Sequence, residues 1–284
     1  MGERGQASIE WVCAVLLVTV VLGAAGAGLG DVDGRSYGGW LAHTLVCAVR
    51  GGCEQQRDAL ARAYGERDAE LVRRYAPNLV YERGTLTLPV DFRTCRSHRC
   101  SDAPDDRDLD AHRTTRGAHP ATAFTHVVHR DGETFIQYWL YYPDSTSTVA
   151  NAAGIWNKLD RTRWSTMPGY PGYHPDDWES VQVRVAPDGR VRTRASSHHG
   201  YQWCKQRRCK NDWGPWTGWS RVFRGSHAGH IPERLERERT TTSAGLRLVP
   251  IESLDTDAYE PLDEGITPPW RKKVYSDPLS DSTS

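Results

Sequence analysis

The sequence lacks the excess of basic residues that is typical of nucleic-acid-binding proteins. Lys and Arg together number 36 in the 284-residue chain, Asp and Glu also number 36, and the formal net charge is therefore zero. Proteins that bind nucleic acid usually carry a basic excess, because they neutralise the phosphate backbone. The balance of charges argues against a nucleic-acid partner.

Phenylalanine and methionine are scarce as well. The chain has 4 Phe and 2 Met but 11 Trp and 12 Tyr. Trp and Tyr combine an apolar ring with a polar atom, and they suit half-exposed sheet faces and binding surfaces. The composition therefore favours a β-rich domain with a polar surface.

The signatures of several enzyme classes are absent. The chain contains no phosphate-binding P-loop, no Gly-x-Ser-x-Gly nucleophile elbow and no dinucleotide-binding glycine fingerprint. His227 and His230 lie close together, but the glutamate that a zinc metalloprotease carries beside its first histidine is missing. None of these enzyme classes is indicated.

A long uncharged segment follows the N-terminus. Residues 11–30 contain no charged side chain, and a helix of that length spans roughly 30 Å, enough to cross a bilayer. Arg4 before it and Asp31 and Asp33 after it favour a single-pass cell-membrane protein with most of the chain extracytoplasmic. We predict a leader and transmembrane helix at 1–30, a tether and amphipathic helix at 31–76, and an extracytoplasmic domain at 77–284.

The first residues, Gly5-Gln6-Ala7-Ser8-Ile9-Glu10-Trp11, resemble the prepilin-like leader of tight-adherence (TadE-type) pseudopilins. In that family a peptidase cuts after the glycine, and a glutamate stands fifth in the mature chain. The resemblance implies cleavage after Gly5, which makes Glu10 the fifth residue. The alternative is a plain uncleaved anchor.

Six of the seven cysteines form three close pairs, and Cys13 lies in the apolar segment. In an exported chain such cysteines usually form disulfides, and local pairing is the simplest arrangement, although six cysteines permit fifteen. The alternative is a four-thiolate zinc site built from the two later pairs, whose gaps are wider than zinc sites usually have. The predicted disulfides are Cys47 with Cys53, Cys95 with Cys100, and Cys204 with Cys209.

The pattern of apolar residues indicates the fold. Residues 54–75 show helical spacing, Pro77 ends that helix, and the period then becomes that of strands. Turn signals at Asp131-Gly132 and Pro187-Asp188-Gly189 predict two β-hairpins. Many short strands and long loops predict an all-β, β-sandwich-like domain with a few short helices. Further strands are predicted at 79–81, 86–88, 219–224 and 246–251, and a short charged helix at 232–239.

The second hairpin positions the candidate site. A three-residue turn with its glycine in the left-handed region sets Val185 opposite Val191 and aligns the apolar faces of the two strands. Continued backward, this register places Asp177 and Glu179 on the apolar face, opposite His199 and Ser197. Carboxylates on a core face are costly unless they are paired or bind a cation.

Such a cluster offers the oxygen and imidazole ligands of a divalent-metal site, with calcium or magnesium as the expected ion. The alternative is that a bulge near Trp178 ends the strand and that the carboxylates meet arginines. The predicted metal ligands are Asp177, Glu179, His199, His174 and His227.

The opposite face of the same hairpin is basic. Arg184 is expected directly opposite Arg192, with Arg190 and Arg194 on the same face. Like charges across a strand pair are unfavourable. A neighbouring acidic strand is the ordinary compensation, and a polyanionic surface partner is the alternative.

An ordered set of short motifs over roughly residues 75–278 resembles the vacuolar protein sorting-associated protein 62 family. Asp176 and Ser180 depart from the glycine and histidine that usually flank the Asp-Trp-Glu of that family. The family name implies sorting, but no reaction follows from it. The motifs are Tyr75-Ala76-Pro77, Gln137-Tyr138-Trp139, Tyr142-Pro143, Asp177-Trp178-Glu179, His198-His199, Gly225-Ser226-His227-Ala228, Pro268-Pro269-Trp270 and Asp277-Pro278.

A fainter resemblance is to the necrosis-inducing (NLP) cytolysins, secreted β-sandwich proteins with a Gly-His-Arg-His-Asp-Trp-Glu motif. The first His, the Asp and the Glu of that motif help hold a divalent cation, and His174, Asp177 and Glu179 match them. Asp176 replaces the second histidine, and His199 begins a segment similar to a later His-Gly of that family. The resemblance implies cation-assisted binding to a surface glycan or lipid.

The leading hypothesis is therefore a membrane-tethered binding module with a divalent cation at the rim of a β-sandwich, taking an envelope glycan or lipid. One alternative is a metal-dependent hydrolase of envelope polymers, with Asp177 or Glu179 as general base and a bound water as nucleophile. The other alternative is a structural pseudopilin that only displays the domain.

The leader can be tested directly. We expect Gly5→Leu to block maturation, because the peptidase must approach the backbone closely at that glycine. Mass spectrometry of the N-terminus checks this. An intact Met1 terminus in the unmutated protein would exclude the pilin-like route and leave a plain anchor.

Overall fold

The structure, a computed structural model, describes residues 53–82, 85, 87–101, 115, 119–145, 174–197, 200–205, 208–223, 225–231, 239–241 and 245–281. The predicted leader residues Gly5 and Glu10, the membrane helix at 1–30, Cys47 and His199 lie outside these ranges. Within them, no helix has the length and apolar character needed to cross a membrane.

In the described ranges the chain forms twelve strands and three α-helices. The helices are α1 (Cys53–Arg74), α2 (His98–Ser101) and α3 (Lys273–Ser276), with 3-10 turns at Ile251–Ser253 and Pro269–Arg271. The strands are β1 (Asn78–Tyr81), β2 (Thr122–Arg130), β3 (Glu133–Ser145), β4 (His174–Val185), β5 (Val191–Ser197), β6 (Gly200–Lys205), β7 (Arg208–Lys210), β8 (Gly214–Pro215), β9 (Trp219–Val222), β10 (Gly229–His230), β11 (Arg239–Thr241) and β12 (Arg247–Pro250).

The strands assemble into two sheets, as the all-β prediction requires. The larger has the order β12-β2-β3-β4-β5-β6-β7, with β8 paired to β5, and the smaller has the order β10-β9-β1-β11. Apolar side chains of both sheets pack into one buried cluster, so the two sheets form a sandwich. That cluster includes Leu79, Tyr81 and Val222 from the smaller sheet and Ile136, Tyr138, Leu140, Tyr142, Val181 and Val183 from the larger.

The other face of the larger sheet is covered by loops and by the C-terminal segment. Trp139, Tyr141 and Trp178 point to this side because side chains alternate along a strand, and they pack in a second cluster with Phe92 and Tyr259. Strands β3 and β4 are therefore buried on both faces. This explains why β3 is apolar almost throughout rather than alternating.

Helix α1 confirms the predicted amphipathic helix. Leu60, Ala69 and Val72 are fully buried in the cluster between the sheets, while the exposed positions are mostly charged: Arg62, Glu66, Arg67, Glu70 and Arg74. The helix is kinked at Gly65, whose φ of 76° lies outside the helical region. The Tyr138 hydroxyl donates a hydrogen bond of 2.7 Å to the Val72 carbonyl, which fixes the end of the helix to β3.

The first hairpin is also confirmed. Strands β2 and β3 pair from Arg130 opposite Glu133 to Phe124 opposite Trp139. The connecting residues Asp131 and Gly132 have φ values of 53° and 77°. Two successive left-handed residues are the requirement of the tight hairpin turn that an Asp-Gly pair favours.

The second hairpin confirms the predicted turn and corrects the predicted length of its ladder. Val185 lies opposite Val191, as the matching of apolar faces requires, but the paired register ends at Val181 opposite Ala195. On its other edge β5 pairs with β6, from Ala195 opposite Gln202 to Ser197 opposite Gly200. The prediction that Glu179 lies opposite Ser197 is therefore wrong, because the Ser180 amide donates to the Ser196 hydroxyl and the backbone ladder between β4 and β5 stops there.

The cysteine pairs Cys95–Cys100 and Cys204–Cys209 are disulfides. The second joins β6 to β7, where the two residues are direct partners. Because these four thiols are bonded to each other, the alternative of a four-thiolate zinc site does not hold. The third predicted pair includes Cys47, which lies outside the described residues.

Three further predictions concern short elements: the strands at 86–88 and 246–251 and the helix at 232–239. Of the predicted strand at 86–88, Thr87 is a bridging residue, Leu88 lies outside any strand, and Leu86 lies outside the described residues. The predicted helix at 232–239 falls mostly outside the described residues, and its last residue, Arg239, instead begins β11. Strand β12 confirms the late strand, and it pairs in parallel with β2.

Candidate functional site

The candidate site lies on β4 just beyond the point where β5 leaves it. Asp177 and Glu179 lie opposite Tyr142 and Leu140 of β3, so their side chains share the face that meets the smaller sheet. Asp177 is 6% exposed. The backbone ladder with β5 has ended here, so side chains supply the partners: Ser196 at the end of β5 for Glu179, and His227 from a distant turn for Asp177.

His227 holds the Asp177 carboxylate. Its Nδ1 lies 2.9 Å from Asp177 Oδ2, and its Nε2 lies 2.7 Å from Thr87 Oγ1. The imidazole also stacks on the Tyr142 ring, with centroids 3.9 Å apart and an interplanar angle of 6°. With both ring nitrogens occupied, His227 orients Asp177 and is not a free metal ligand.

The backbone at His227 is arranged for this contact. Its φ of 53° is in the left-handed region, which non-glycine residues seldom adopt. The amide of His227 donates to the Phe223 carbonyl, and the Phe223 amide donates to the Ala228 carbonyl, each at 3.0 Å. The tight turn between β9 and β10 thereby directs the imidazole toward the face of β4.

His174 forms the solvent side of the cluster. Its Nε2 lies 3.8 Å from Asp177 Oδ1, the oxygen that His227 leaves uncovered. The His174 side chain is 39% exposed, whereas that of Asp177 is 8% exposed. His174 is therefore the more solvent-exposed member of its contact with Asp177.

Glu179 is the most strongly perturbed group of the cluster. Burial raises the pKa of its carboxyl well above the usual range, and the neighbouring Asp177 charge raises it further. The Ser196 hydroxyl, which donates to Glu179 Oε2, and the Lys272 ammonium oppose this rise in pKa. Burial lowers the pKa of Lys272, and the charges of Glu179 and Asp177 oppose that fall.

The Tyr142 hydroxyl adds an unsatisfied polar atom. The side chain is fully buried, and within the described part of the chain its oxygen has no hydrogen-bond partner. Burial raises the pKa of Tyr142 well above its usual value, with contributions from Tyr81, Glu179 and Asp177. A buried hydroxyl without a partner costs about 1–3 kcal/mol, which a polar ligand atom would reduce.

Of the predicted metal ligands, the structure brings together Asp177, Glu179, His174 and His227, while His199 lies outside the described residues. One group of three possible ligands in the described ranges has its ligand atoms within 4.8 Å of one another: Cys95, Cys100 and His119. Its two cysteines form a disulfide and offer no thiolate. The possible ligand atoms of the Asp177 cluster are not all within 4.8 Å of one another. Its side chains would therefore have to move closer together to bind an ion.

The neighbouring Asp176 has a different role. Its φ is 53° and its carboxylate faces the second core, where it pairs with Arg96 at 2.5 Å and accepts from the Tyr141 hydroxyl at 2.6 Å. The backbone amide of Leu262 donates to it as well. The carboxylate that meets an arginine near Trp178 is thus Asp176, which fixes the loops on that face and leaves Asp177 to the cluster.

Sequence reasoning missed four partners of the cluster: Thr87, Tyr142, Ser196 and Lys272. The sequence places Tyr142 in an aromatic-rich predicted strand and Thr87 in the predicted strand at 86–88. Neither position carries a local signal that it will meet His227, which is 140 residues away from Thr87.

No family model matches the chain, and no curated protein matches it. The resemblances to pseudopilin leaders and to the vacuolar protein sorting-associated protein 62 family therefore gain no support there.

Similar solved structures include a triple mutant of NLPPya, at 16% identity over 76% of this chain and 90% of that chain with a TM-score of 0.42. NLPPya in complex with glucosamine is similar at 17% identity over 67% and 75%, with a TM-score of 0.35. Necrosis and Ethylene inducing Protein 2 from the causal agent of cocoa's witches' broom disease is similar at 18% identity over 64% and 73%, with a TM-score of 0.31. All three are necrosis-inducing toxins, the group of the fainter sequence resemblance.

The two histidines should differ in their contribution to stability. His227→Ala leaves Asp177 Oδ2 and Thr87 Oγ1 without their partner and removes the stacking on Tyr142, so we expect a loss of about 2–4 kcal/mol. His174→Ala removes a half-exposed side chain and should cost less than about 1 kcal/mol. Denaturant unfolding measures both values, and equal losses would contradict the central place of His227.

Proposed function

We propose that the chain is a membrane-anchored, extracytoplasmic binding module that takes an envelope glycan or lipid with the help of a divalent cation, calcium or magnesium. The observation that carries the proposal is the placement of the Asp177 and Glu179 carboxyls together on the inner face of β4, with Asp177 buried, Glu179 half-buried and the half-exposed His174 beside Asp177.

The donor set fits a hard divalent ion. Asp177 Oδ1 is the oxygen not used by His227, Glu179 supplies a second carboxylate on the same face, and His174 lies 3.8 Å from Asp177 Oδ1. Carboxylate oxygens are the ligands that calcium and magnesium prefer. His227 would serve as the partner behind the ligand, fixing Asp177 through its other oxygen in the way that such partners usually stabilise metal sites.

A cation would also resolve the electrostatic conflict within the cluster. Removal from water is the main cause of the raised pKa of the Glu179 carboxyl, and the like charge of Asp177 adds to it. A bound divalent ion would favour the charged form of both carboxyls. When bound, the ion would offer its remaining coordination positions to hydroxyl or other oxygen atoms of a ligand.

One observation favours the hydrolase alternative. Thr87 Oγ1, His227 and Asp177 follow one another at hydrogen-bonding distances of 2.7 and 2.9 Å, the order of a nucleophile, a base and an orienting acid. Thr87 is, however, only 3% exposed. A substrate carbonyl could not reach this hydroxyl in the present arrangement, so the triad-like contact is better explained as support for Asp177.

The cation can be tested through stability. In the full-length protein, calcium or magnesium should raise the melting temperature relative to chelator, since an ion that binds only the folded state stabilises it. Asp177→Ala should abolish this difference, whereas Asp257→Ala, an exposed aspartate outside the cluster, should preserve it. Scanning calorimetry with and without chelator gives the comparison.

A melting temperature of the unmutated protein that is the same in calcium, magnesium and chelator would contradict the proposal. So would an Asp177→Ala variant that loses the same stability in every condition, because that result would indicate a purely structural ion pair.

A further inference from the structure

A second candidate site lies at the other end of β4, around the turn of the second hairpin. A cavity of about 170 Å³ opens there on the face opposite the paired valines. Its wall is made of Glu133, Arg184, Ala186, Arg190 and Arg192. Arg184 and Arg192 lie directly opposite each other across the ladder, a like-charge pairing that is unfavourable without compensation.

Compensation within the chain is incomplete. Arg184 pairs with Glu133, its Nε and Nη2 lying 2.8 and 2.7 Å from Oε2, as expected for an acidic residue on the neighbouring strand. Arg190 pairs at 2.6 Å with Asp188, whose side chain is 52% exposed and lies outside the cavity wall. The wall itself has three guanidinium groups and one carboxylate, an excess of two positive charges.

Arg192 is the group that lacks compensation. Its side chain is exposed, and within the described part of the chain that side chain makes no hydrogen bond, ion pair or ring contact. An arginine so placed, opposite another arginine and beside a third, raises the local potential without stabilising the fold. A negatively charged ligand in the cavity would neutralise the guanidinium groups that have no acidic partner in the wall.

Arg194, the fourth arginine of this face, has a structural role. Arg194 is 1% exposed, and it pairs with Asp281 at 2.8 Å while donating to the carbonyls of Pro278 and Ser280. Its guanidinium also lies over the Trp213 ring, 4.4 Å from the centroid. Arg194 Nε also donates to Gln182 of β4, so the whole guanidinium is occupied within the fold, in contrast to that of Arg192.

We propose that the cavity binds a tetrahedral oxyanion, the phosphate or sulfate group of a larger anionic ligand. Guanidinium groups form paired, charge-assisted hydrogen bonds with such oxyanions. The cavity exceeds severalfold the roughly 30 Å³ that one water occupies, so a phosphate-sized group fits beside its walls. Arg192 and Arg190 would make the main contacts, and Arg184, already held by Glu133, would add charge.

This site is separate from the Asp177 cluster. Seven residues of extended strand between Asp177 and Arg184 correspond to about 23 Å, and the two side chains point to opposite faces of the sheet. The oxyanion proposal therefore does not depend on the cation, and either can fail while the other stands.

Titration of the full-length protein with inorganic phosphate and, in parallel, with sulfate at constant ionic strength tests the inference, with binding followed by NMR shifts or calorimetry. We expect saturable binding that Arg192→Gln weakens at least tenfold. Arg67→Gln, an exposed arginine on α1, is the matched control and should bind as the unmutated protein does. Asp177→Ala should also leave this binding unchanged.

Because Arg192 has no partner in the described part of the chain, its replacement should not disturb folding, which a thermal melt confirms. Binding of phosphate over sulfate would indicate a phosphorylated ligand, and the reverse would indicate a sulfated one. Failure of both anions to bind, or equal affinity in Arg192→Gln and the unmutated protein, would overturn the proposal.

Discussion

Two carboxyl groups on the inner face of β4 can be kept there only because distant segments of the chain supply their partners. His227 reaches Asp177 from the turn between β9 and β10, and Ser196 reaches Glu179 from the end of β5. Thr87, in turn, supports the far side of the imidazole. These contacts tie three separate parts of the sandwich to one end of β4, and they determine which oxygen atoms are left for a ligand.

The point at which β5 leaves β4 makes this arrangement possible. A ladder that continued past Ala195 would cover the edge of β4 beside Glu179. Instead, Ser196 Oγ accepts a hydrogen bond of 2.7 Å from the Ser180 amide and donates to Glu179. The early end of the β4–β5 ladder thus leaves a small polar site beside Glu179, on a strand that is packed on both faces here.

Local signals predicted the parts of the fold that local chemistry decides. The Asp131-Gly132 and Pro187-Asp188-Gly189 turns specify their hairpins, and matching of apolar faces gave the register of Val185 and Val191 correctly. The same reasoning failed at Glu179, because the ladder ends where the Ser196 hydroxyl accepts the hydrogen bond of the Ser180 amide. The meeting of His227 with Asp177 joins residues 50 positions apart, and no local pattern encodes it.

The sequence also does not show which arginines of the basic face are paired in the folded chain. Four arginines of one hairpin look equivalent in the sequence, yet the structure assigns Arg194 to the C-terminal segment and Arg184 to Glu133. The two ends of β4 therefore carry opposite chemistry, carboxylates on the inner face and guanidinium groups on the outer one. A module that binds an anionic envelope ligand could use both, a cation at one end and an oxyanion subsite at the other.

The pH dependence of cation affinity tests the role of the carboxyl pair most directly. Since burial raises the pKa of Glu179 above that of an unfolded glutamate, the folded chain without a cation loses stability as the pH rises through the range where this carboxyl ionises. A cation at this site would compete with the proton for the Glu179 carboxyl. Calorimetric titration of the full-length protein with calcium or magnesium should therefore show affinity that rises with pH and proton release on binding, and affinity independent of pH, without proton release, would contradict the account.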